Sequence, residues 1–226
     1  MWWILIVLII IMLGLTFIKS PKGKGMIGEF RVNRIIKKAA LDLGGIELHD
    51  LMYQDEISSS QIDHLLLTQK ALYVIETKNY NGYIYGNESS HDWTMTVKHI
   101  NQYKNRKGKK YLKVNISKHQ FYNPIKQNQT HIRKIMNLTD ININIINIVV
   151  FGRKAILKDV KHSDQVYVVH EHELLKTIQR IENNISNKKT IEVQIDVLDQ
   201  LIYHNIKDRK SRRGHVQRIK AKYKKN

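Results

Sequence analysis

The sequence predicts an α/β domain with a central mixed sheet flanked by helices, preceded by one N-terminal transmembrane helix. Two observations support this prediction. Short runs rich in Ile, Leu and Val alternate with segments of helical periodicity, and residues 2–18 carry no charge at all. Apolar runs between helices are typical of a sheet covered on both faces. A chain of 226 residues is also long enough to bury a sizeable core.

Composition narrows the function classes. The absence of cysteine excludes a disulfide scaffold, a thiolate zinc site and a cysteine nucleophile. The net charge is +18, from 38 Lys and Arg against 20 Asp and Glu, which favours a polyanionic partner, either nucleic acid or an anionic membrane surface. Abundant Lys, Asn and Ile are equally typical of AT-rich genomes, so the charge permits such a partner without demanding one.

The first segment predicts where the protein resides. Residues 2–18 would form a helix about 26 Å long, close to the hydrocarbon thickness of a bilayer. Lys19, Lys22 and Lys24 follow, so the positive-inside rule places the rest of the chain in the cytoplasm. The rival interpretation, a cleaved signal peptide, lacks a basic leading region and a small-residue cleavage site. We therefore expect a single-pass anchor of the cell membrane over 1–19, a polar linker over 20–25 and a cytoplasmic domain over 26–206.

The elements of that domain follow from periodicity and turn signals. The Gly44-Gly45 pair ends the first helix, Gln69-Lys70 joins two strands as a hairpin, and Asn123-Pro124 starts a later helix. The stretch 98–118 has eight Lys or Arg and no acid, and we expect an exposed loop or a long hairpin there. The predicted helices are 28–43, 124–138, 171–183 and 190–206, and the predicted strands are 46–53, 61–68, 71–77, 83–85, 93–97, 145–151 and 165–169.

The central hairpin carries the candidate chemistry. A two-residue loop places Asp63 opposite Glu76, with β-carbons about 5 Å apart, and side-chain alternation puts Lys78 on the same face. Two neighbouring carboxylates repel each other unless a cation lies between them, and Mg²⁺ prefers such oxygen ligands. Lys78 would orient or help to deprotonate a metal-bound water and stabilise charge on a phosphate. This arrangement predicts metal-dependent phosphodiester hydrolysis.

The acid-acid-lysine triplet alone is a weak signal, but longer motifs surround it. The string QIDHLLLTQKALYVIETKNYNGYIYG, preceded by GMIGEF and followed by a Trp and FYNPIKQNQTHI, resembles the nuclease-related domain (NERD) family over residues 24–139. That family belongs to the restriction-endonuclease-like PD-(D/E)xK superfamily. The resemblance implies that Asp63 and Glu76 bind Mg²⁺ or Mn²⁺ and that Lys78 is catalytic. It adds Glu29 as a further metal-binding acid and Gln127 as a site residue.

Some residues depart from the family pattern or have simpler interpretations. Ile62 replaces the usual proline before the aspartate, and the lysine-rich stretch separates Trp93 from Asn123 by more residues than the family leads us to expect. Glu29 could instead stabilise a helix N-terminus. His131 lies one helical turn after Gln127, whereas His64 should face away from Asp63. We interpret Trp93 and the run HEHE at 170–173 as structural.

The C-terminal segment 207–226 has ten Lys or Arg against one Asp, and we expect it to be disordered when free. It would contact phosphates of nucleic acid without reading sequence, or anionic lipid near the anchor. The lysine-rich stretch at 98–118 would form a second wall of the groove. The candidate nucleic-acid contacts are Lys109, Lys110, Arg209, Lys210, Arg212 and Arg213.

The favoured function is a membrane-anchored, Mg²⁺-dependent nuclease acting on nucleic acid, with DNA favoured over RNA. Two alternatives remain open: a membrane-tethered DNA-binding module with an inactive nuclease fold, and a structural membrane protein whose basic tail binds lipid. Two facing carboxylates near a polyanion argue for the nuclease, because a module that only binds has no need of them. The residues do not distinguish endonuclease from exonuclease action.

Overall fold

The computed structural model describes residues 2–55, 58–106, 109–208 and 212. Within them the helices are α1 (Trp2–Lys19), α2 (Pro21–Leu43), α3 (Pro124–Leu138), α4 (Leu174–Asn184) and α5 (Ile191–Tyr203). The strands are β1 (Ile46–Gln54), β2 (Ser59–Leu67), β3 (Ala71–Lys78), β4 (Gly82–Asn87), β5 (Asp92–Lys104), β6 (Lys110–Tyr122), β7 (Asn144–Phe151), β8 (Ala155–Lys161) and β9 (Val166–His170).

Two mixed sheets form the β structure. The larger sheet has the order β1-β2-β3-β7-β9, in which β1, β2 and β3 are antiparallel neighbours and β3, β7 and β9 run parallel. The smaller sheet has the order β6-β5-β4-β8. Because β3, β7 and β9 are parallel, their carboxyl ends meet at one edge of the larger sheet. Open α/β sheets commonly bind ligands outside such an edge.

Helices cover both faces of the larger sheet. Side chains of α2 and α4, such as Ile36 and Ile178, pack on Tyr73 and Ile75 of β3. On the opposite face, α3 and α5 pack on alternate residues of the same strands. A third cluster, which includes Ile84, Trp93 and Phe151, joins the smaller sheet to β7. Period-two alternation with apolar residues on both faces explains why β2 and β3 read as nearly continuous hydrophobic runs.

The predicted α/β class is confirmed, and so are its turn signals. The hairpin has the expected register, with Leu67 opposite Leu72 and His64 opposite Ile75. Gly44 ends α2 in a left-handed conformation with φ of 61°, which a glycine adopts at little cost. Asn123 caps α3 by accepting a hydrogen bond from the backbone N–H of Ile125, and Pro124 occupies the first turn.

The expected linker over 20–25 is wrong, because α2 already begins at Pro21. The Ser20 side chain caps this helix by accepting a hydrogen bond from the N–H of Gly23, so a cap followed by proline outweighs the low helix propensity of the glycines. Strand β8 was not predicted, since it pairs in parallel with β4 across some 70 residues of chain. Of the two expectations for 98–118, the long hairpin is right, formed by β5 and β6.

Helix α1 is long and apolar enough to cross a membrane. Its mean hydropathy is 2.5 and none of its residues is buried against the rest of the chain. A signal sequence near an N-terminus would show the same length and composition. The chain therefore carries one apolar N-terminal helix that could anchor it to a bilayer, followed directly by α2.

Candidate active site

The candidate site lies where β2 and β3 meet the first turns of α3. Asp63 precedes the paired residue His64, so the register places it next to Glu76. The Asp63 carboxylate accepts a hydrogen bond from the backbone N–H of Thr77, with an N–O distance of 2.9 Å. Lys78 lies on the same face as Glu76, and its ammonium is 2.6 Å from Glu76 Oε1. The three side chains predicted to share a face therefore lie together.

Gln127 provides a second hydrogen-bond acceptor for Lys78. Its Oε1 accepts a hydrogen bond of 2.8 Å from Lys78 Nζ, and α3 brings it there from 49 residues away. Burial lowers the pKa of Lys78, but Glu76, Tyr80 and Asp63 together outweigh burial and raise the pKa above the ordinary value. Lys78 therefore carries its positive charge at neutral pH. It can donate hydrogen bonds and neutralise an anion, whereas the raised pKa disfavours a role as a base.

Glu76 is the most enclosed member of the site, with 2% of its surface exposed. Burial raises the pKa of this carboxyl, but the positive charge of Lys78 and the neighbouring His131 outweigh burial and lower the pKa to about 2. Oε2 of Glu76 is buried and accepts no hydrogen bond, although His131 Nε2 lies 3.4 Å away. A buried carboxylate oxygen without a hydrogen bond is costly unless a cation compensates for it. This oxygen is therefore a candidate cation ligand.

Asp63 has the opposite tendency. Burial raises its pKa well above the usual range, and the negative charge of Glu76 raises it further, while the hydrogen bond from Thr77 opposes both. The two carboxyl groups thus compete for negative charge across one hairpin, as paired carboxylates do when no cation separates them. A divalent cation beside them would stabilise both in the ionised form.

Glu29 lies near this pair without contacting it. It is a residue of α2 with an exposed side chain, and its pKa is raised by partial burial of the carboxyl and by the charges of Asp50 and Glu76, with Lys78 opposing them. Its electrostatic interactions with Glu76 and Lys78 show that α2 brings a third acid into the neighbourhood. It has no hydrogen bond to the other site residues that the structure describes.

Asn79, the residue after β3, fixes α2 against the site. Its Nδ2 donates to the carbonyl of Lys24, and its Oδ1 accepts a 3.1 Å hydrogen bond from Arg31 Nη2. A Cβ atom on Gly28 would lie 2.6 Å from Asn79 Cβ, and one on Gly152 would lie 2.3 Å from Asn79 Oδ1. Glycine is therefore required at both positions for the helix and the strand end to approach Asn79.

The donor set fits a hard divalent cation that retains water. In the part of the chain that the structure describes, no group of three or more His, Asp or Glu side chains is arranged to hold a metal by itself. Mg²⁺ is commonly bound through one or two carboxylates, with waters and substrate phosphates supplying the remaining ligands. Asp63 and the free Oε2 of Glu76 meet that requirement, and Glu29 could join them only by a change of side-chain conformation.

The residues expected to be structural have structural contacts. His64 faces away from Asp63, as predicted, and its ring nitrogens lie 3.0 Å from His49 Nδ1 and 3.1 Å from Thr77 Oγ1. Trp93 is buried and stacks on Phe151 with ring centroids 6.2 Å apart. The HEHE run holds no metal cluster among the described residues, because its buried Glu171 pairs instead with two arginines.

The predicted nucleic-acid contacts are only partly described. Lys109 and Lys110 are exposed and lie where β6 of the β5–β6 hairpin begins. Arg212 is engaged by Asp50, donating to its carboxylate and its carbonyl at 2.6 Å each. Arg209, Lys210 and Arg213 lie outside the described residues, as does most of the basic tail at 207–226.

Comparison with known proteins shows which family the chain belongs to. A sequence model described as the nuclease-related domain matches residues 24–152, more than half of the chain. An uncharacterized protein of Bacillus anthracis is 31% identical over 207 residues, which cover 90% of this chain and 87% of that protein. No solved structure matches. The chain belongs to the nuclease-related domain family, and the match extends past the predicted residues 24–139 to include β7.

Sequence reasoning missed three residues around the site: Arg31, Asn79 and Arg153. Asn79 directly follows the motif residue Lys78, and an amide at the end of a central strand was the available signal. The arginines offered none, because many cations on a chain of charge +18 are indistinguishable by composition. Only the fold shows that these two meet at Glu171.

Proposed function

We infer that this protein is a membrane-anchored, Mg²⁺-dependent nuclease that hydrolyses phosphodiester bonds of nucleic acid, with DNA as the favoured substrate. The observation that carries the proposal is the buried Glu76 carboxylate. One of its oxygens binds the Lys78 ammonium, and the other has no hydrogen bond and lies 3.4 Å from His131 Nε2. Family membership supports a nuclease-related function.

Asp63 and Glu76 would hold the cation. When bound, Mg²⁺ or Mn²⁺ supplies Lewis-acid activation of water and of the phosphate at neutral pH. The backbone N–H of Thr77 orients Asp63, and His131 flanks the free oxygen of Glu76. Asp63 and Glu76 lie on strands rather than on loops, which favours a precise arrangement of the two carboxylates.

Lys78 would act on the phosphate directly. Glu76 and Gln127 hold its ammonium in one place, and its raised pKa keeps it charged. A fixed cation beside the reacting phosphate stabilises the negative charge that develops in the transition state. Gln127 is therefore a positioning residue, since its amide oxygen restricts where the lysine can point.

The cellular setting follows from α1 and from charge. We infer that α1 spans the cell membrane once and that the lysines at 19, 22 and 24 keep the domain in the cytoplasm. The exposed lysines of the β5–β6 hairpin, including Lys109 and Lys110, and the basic tail would contact phosphates without sequence preference. Anionic lipid near the anchor is a second partner that the tail could bind.

The test is cleavage of plasmid and single-stranded DNA by the full-length chain in detergent, with Mg²⁺, Mn²⁺ or EDTA. We expect cleavage with either metal and none in EDTA. Asp63→Asn should abolish it, because the amide removes a charged ligand while keeping the side chain's size. Lys158→Gln, an exposed residue of β8, is the control and should cleave like the wild type.

Absence of cleavage under all of these conditions, with DNA binding retained and unaffected by Asp63→Asn, would overturn the nuclease. The chain would then be a membrane-tethered binding module on an inactive nuclease fold. Replacing DNA with RNA of the same sequence in the same assay identifies the substrate class.

A further inference from the structure

A second group of charged residues surrounds a cavity at the edge of the larger sheet. The cavity has a volume of about 450 Å³ and lies between α2, the end of β7 and the start of α4. Its lining is mainly cationic, with one buried acid and two aliphatic side chains. The lining residues are Arg31, Arg34, Ile35, Lys38, Arg153, Glu171, His172 and Leu175.

Glu171 organises the cavity. It is 2% exposed, and its two carboxylate oxygens accept hydrogen bonds from Nε of Arg31, at 2.9 Å, and from Nε of Arg153. Both arginines are bound through Nε, so their terminal amino groups point elsewhere. Those of Arg153 have no hydrogen-bond partner among the described residues, and one of Arg31 binds Asn79. The guanidinium groups are thus held in place while retaining donors for an anion.

The charges of the cavity do not cancel. Arg31, Arg34, Lys38 and Arg153 contribute four positive charges against the single negative charge of Glu171. Arg31 and Arg153 have a structural role, because both form ion pairs with Glu171 at the end of β9. Arg34 and Lys38 line the same cavity and have no carboxylate partner among the described lining residues. Arginine forks match the oxygens of a phosphate group well, so the excess charge favours a phosphoryl ligand.

The cavity and the candidate active site share one sheet edge. Lys78 is the last residue of β3, Arg153 lies two residues beyond β7, and Glu171 directly follows β9. The cavity lies on the face of the larger sheet that α2 and α4 cover, whereas Glu76 and Lys78 project to the face that α3 covers. Asn79 links the two directly, because it follows Lys78 and binds Arg31. A nucleic-acid strand that contacts both the carboxylates and the cavity would therefore cross this sheet edge.

We propose that this arginine cavity binds a phosphate group of the nucleic-acid strand, next to the bond that the Asp63, Glu76 and Lys78 site hydrolyses. The identity of the strand rests on the proposed function, whereas the phosphate chemistry rests on the cavity itself. A terminal phosphomonoester and a backbone phosphodiester share that chemistry. The cavity thereby sets the position of the strand relative to the cut.

The test measures binding in EDTA, so that cleavage plays no part. Fluorescence anisotropy reports the affinity of the full-length chain in detergent for a single-stranded oligonucleotide with either a 5′-phosphate or a 5′-hydroxyl. The variants are Arg34→Gln and Arg153→Gln, with Lys158→Gln as the control of equal charge change. Arg34→Gln leaves the Glu171 contacts intact, so it separates phosphate binding from a structural role of the Glu171 ion pairs.

We expect at least tenfold weaker binding by Arg34→Gln and Arg153→Gln and a change below twofold for Lys158→Gln. The slope of log affinity against log salt should fall by about one for each lost phosphate contact. Inorganic phosphate should compete with the oligonucleotide better than chloride at equal ionic strength, and Arg153→Gln should remove that advantage. A loss confined to the 5′-phosphorylated oligonucleotide identifies a terminal phosphate, and an equal loss with both identifies the backbone.

Affinities of the cavity variants equal to that of Lys158→Gln would overturn the proposal. This result is distinguishable from failure of the nuclease itself. If the chain cleaves DNA but the cavity variants show no loss of oligonucleotide affinity, only the phosphate-binding proposal is refuted. A chain that never cleaves but loses affinity in these variants refutes only the catalytic proposal.

Discussion

At the scale of single residues, the site depends on how buried charges compensate one another. Glu76 is almost fully enclosed, yet it remains ionised because Lys78 and His131 flank it. Removing one member of a buried ion pair typically costs about 3–5 kcal/mol, whereas removing both members together is often close to neutral. The Lys78–Glu76 ion pair can therefore be tested through the stability of the protein, without an activity assay.

Glu76→Gln should lower the free energy of unfolding by about 3–5 kcal/mol, because it leaves the Lys78 charge buried with only Gln127 as an acceptor. Adding Lys78→Met to that variant should restore most of the loss. Chemical denaturation of the wild type, both single variants and the double variant measures this. A double variant as unstable as the sum of the two single changes would contradict the pairing.

His64 should make the stability of the protein depend on pH. Burial, together with the neighbouring His49, lowers the pKa of His64 from 6.5 to about 3. Between these two pH values the unfolded chain binds a proton that the folded chain does not. The stability that a neutral His64 preserves is therefore fully present above pH 6.5. It is lost as the pH falls toward 3, by up to about 1.4 kcal/mol per pH unit.

The comparison of wild type with His64→Gln isolates this effect from other titrating groups. The difference in unfolding free energy between the two proteins should shift in favour of the variant as the pH is lowered below 6.5. Parallel stability curves for the two proteins between pH 6.5 and 4 would show that His64 is not held neutral by the fold.

At the scale of elements, α2 packs closely against the residue that follows Lys78 at the end of β3. It carries Glu29 and Arg31, and it approaches the end of β3 closely enough that Gly28 leaves no room for a Cβ beside Asn79. A glycine within a helix normally costs about 1 kcal/mol relative to alanine. Here the close contact requires it.

Gly28→Ala and Gly25→Ala form a matched pair on this helix. We expect Gly28→Ala to destabilise the protein by about 1–3 kcal/mol, because the added Cβ would lie 2.6 Å from Asn79 Cβ. Gly25→Ala should instead stabilise it by up to about 1 kcal/mol, since the nearest atom is 3.9 Å away. Thermal or chemical denaturation measures both. Equal effects from the two substitutions would contradict the placement of α2.

The same elements show what local sequence can and cannot predict. The β2–β3 hairpin follows from alternation and loop length alone, and its register is sufficient to place Asp63 beside Glu76. The first turns of α2 were missed because three glycines within six residues resemble a linker, although Ser20-Pro21 was a start signal. Strand β8 and the Glu171 ion pairs join distant segments, and local propensity carries no information about such pairing.

At the scale of the whole molecule, charge and the apolar helix act together. Helix α1 has 18 residues, none of them buried, and a soluble protein rarely exposes so large an apolar area. The domain that follows belongs to a nuclease-related family and carries an excess of positive charge. A bilayer-anchored domain of this kind would carry out the proposed hydrolysis at the membrane surface.

Membrane attachment is tested by fractionation. The full-length chain should remain in the membrane pellet in high salt and at alkaline pH and should enter the supernatant only with detergent, because a spanning helix is held by apolar contact. A variant lacking residues 1–19 should lose that resistance and be released by salt if the basic tail binds anionic lipid. Full release of the intact chain by salt alone would rule out a spanning anchor.

In the proposed site, Lys78 acts on the phosphate while Asp63 and Glu76 hold the cation. The most direct test is a single measurement on two proteins: the cleavage rate of a labelled DNA by wild type and Lys78→Met at saturating Mn²⁺, with Mn²⁺ occupancy verified in each. We predict that Lys78→Met still binds Mn²⁺ but cleaves at least 100-fold more slowly, as expected on loss of a charge-stabilising donor. Cleavage by Lys78→Met at the wild-type rate would contradict the assignment of this site.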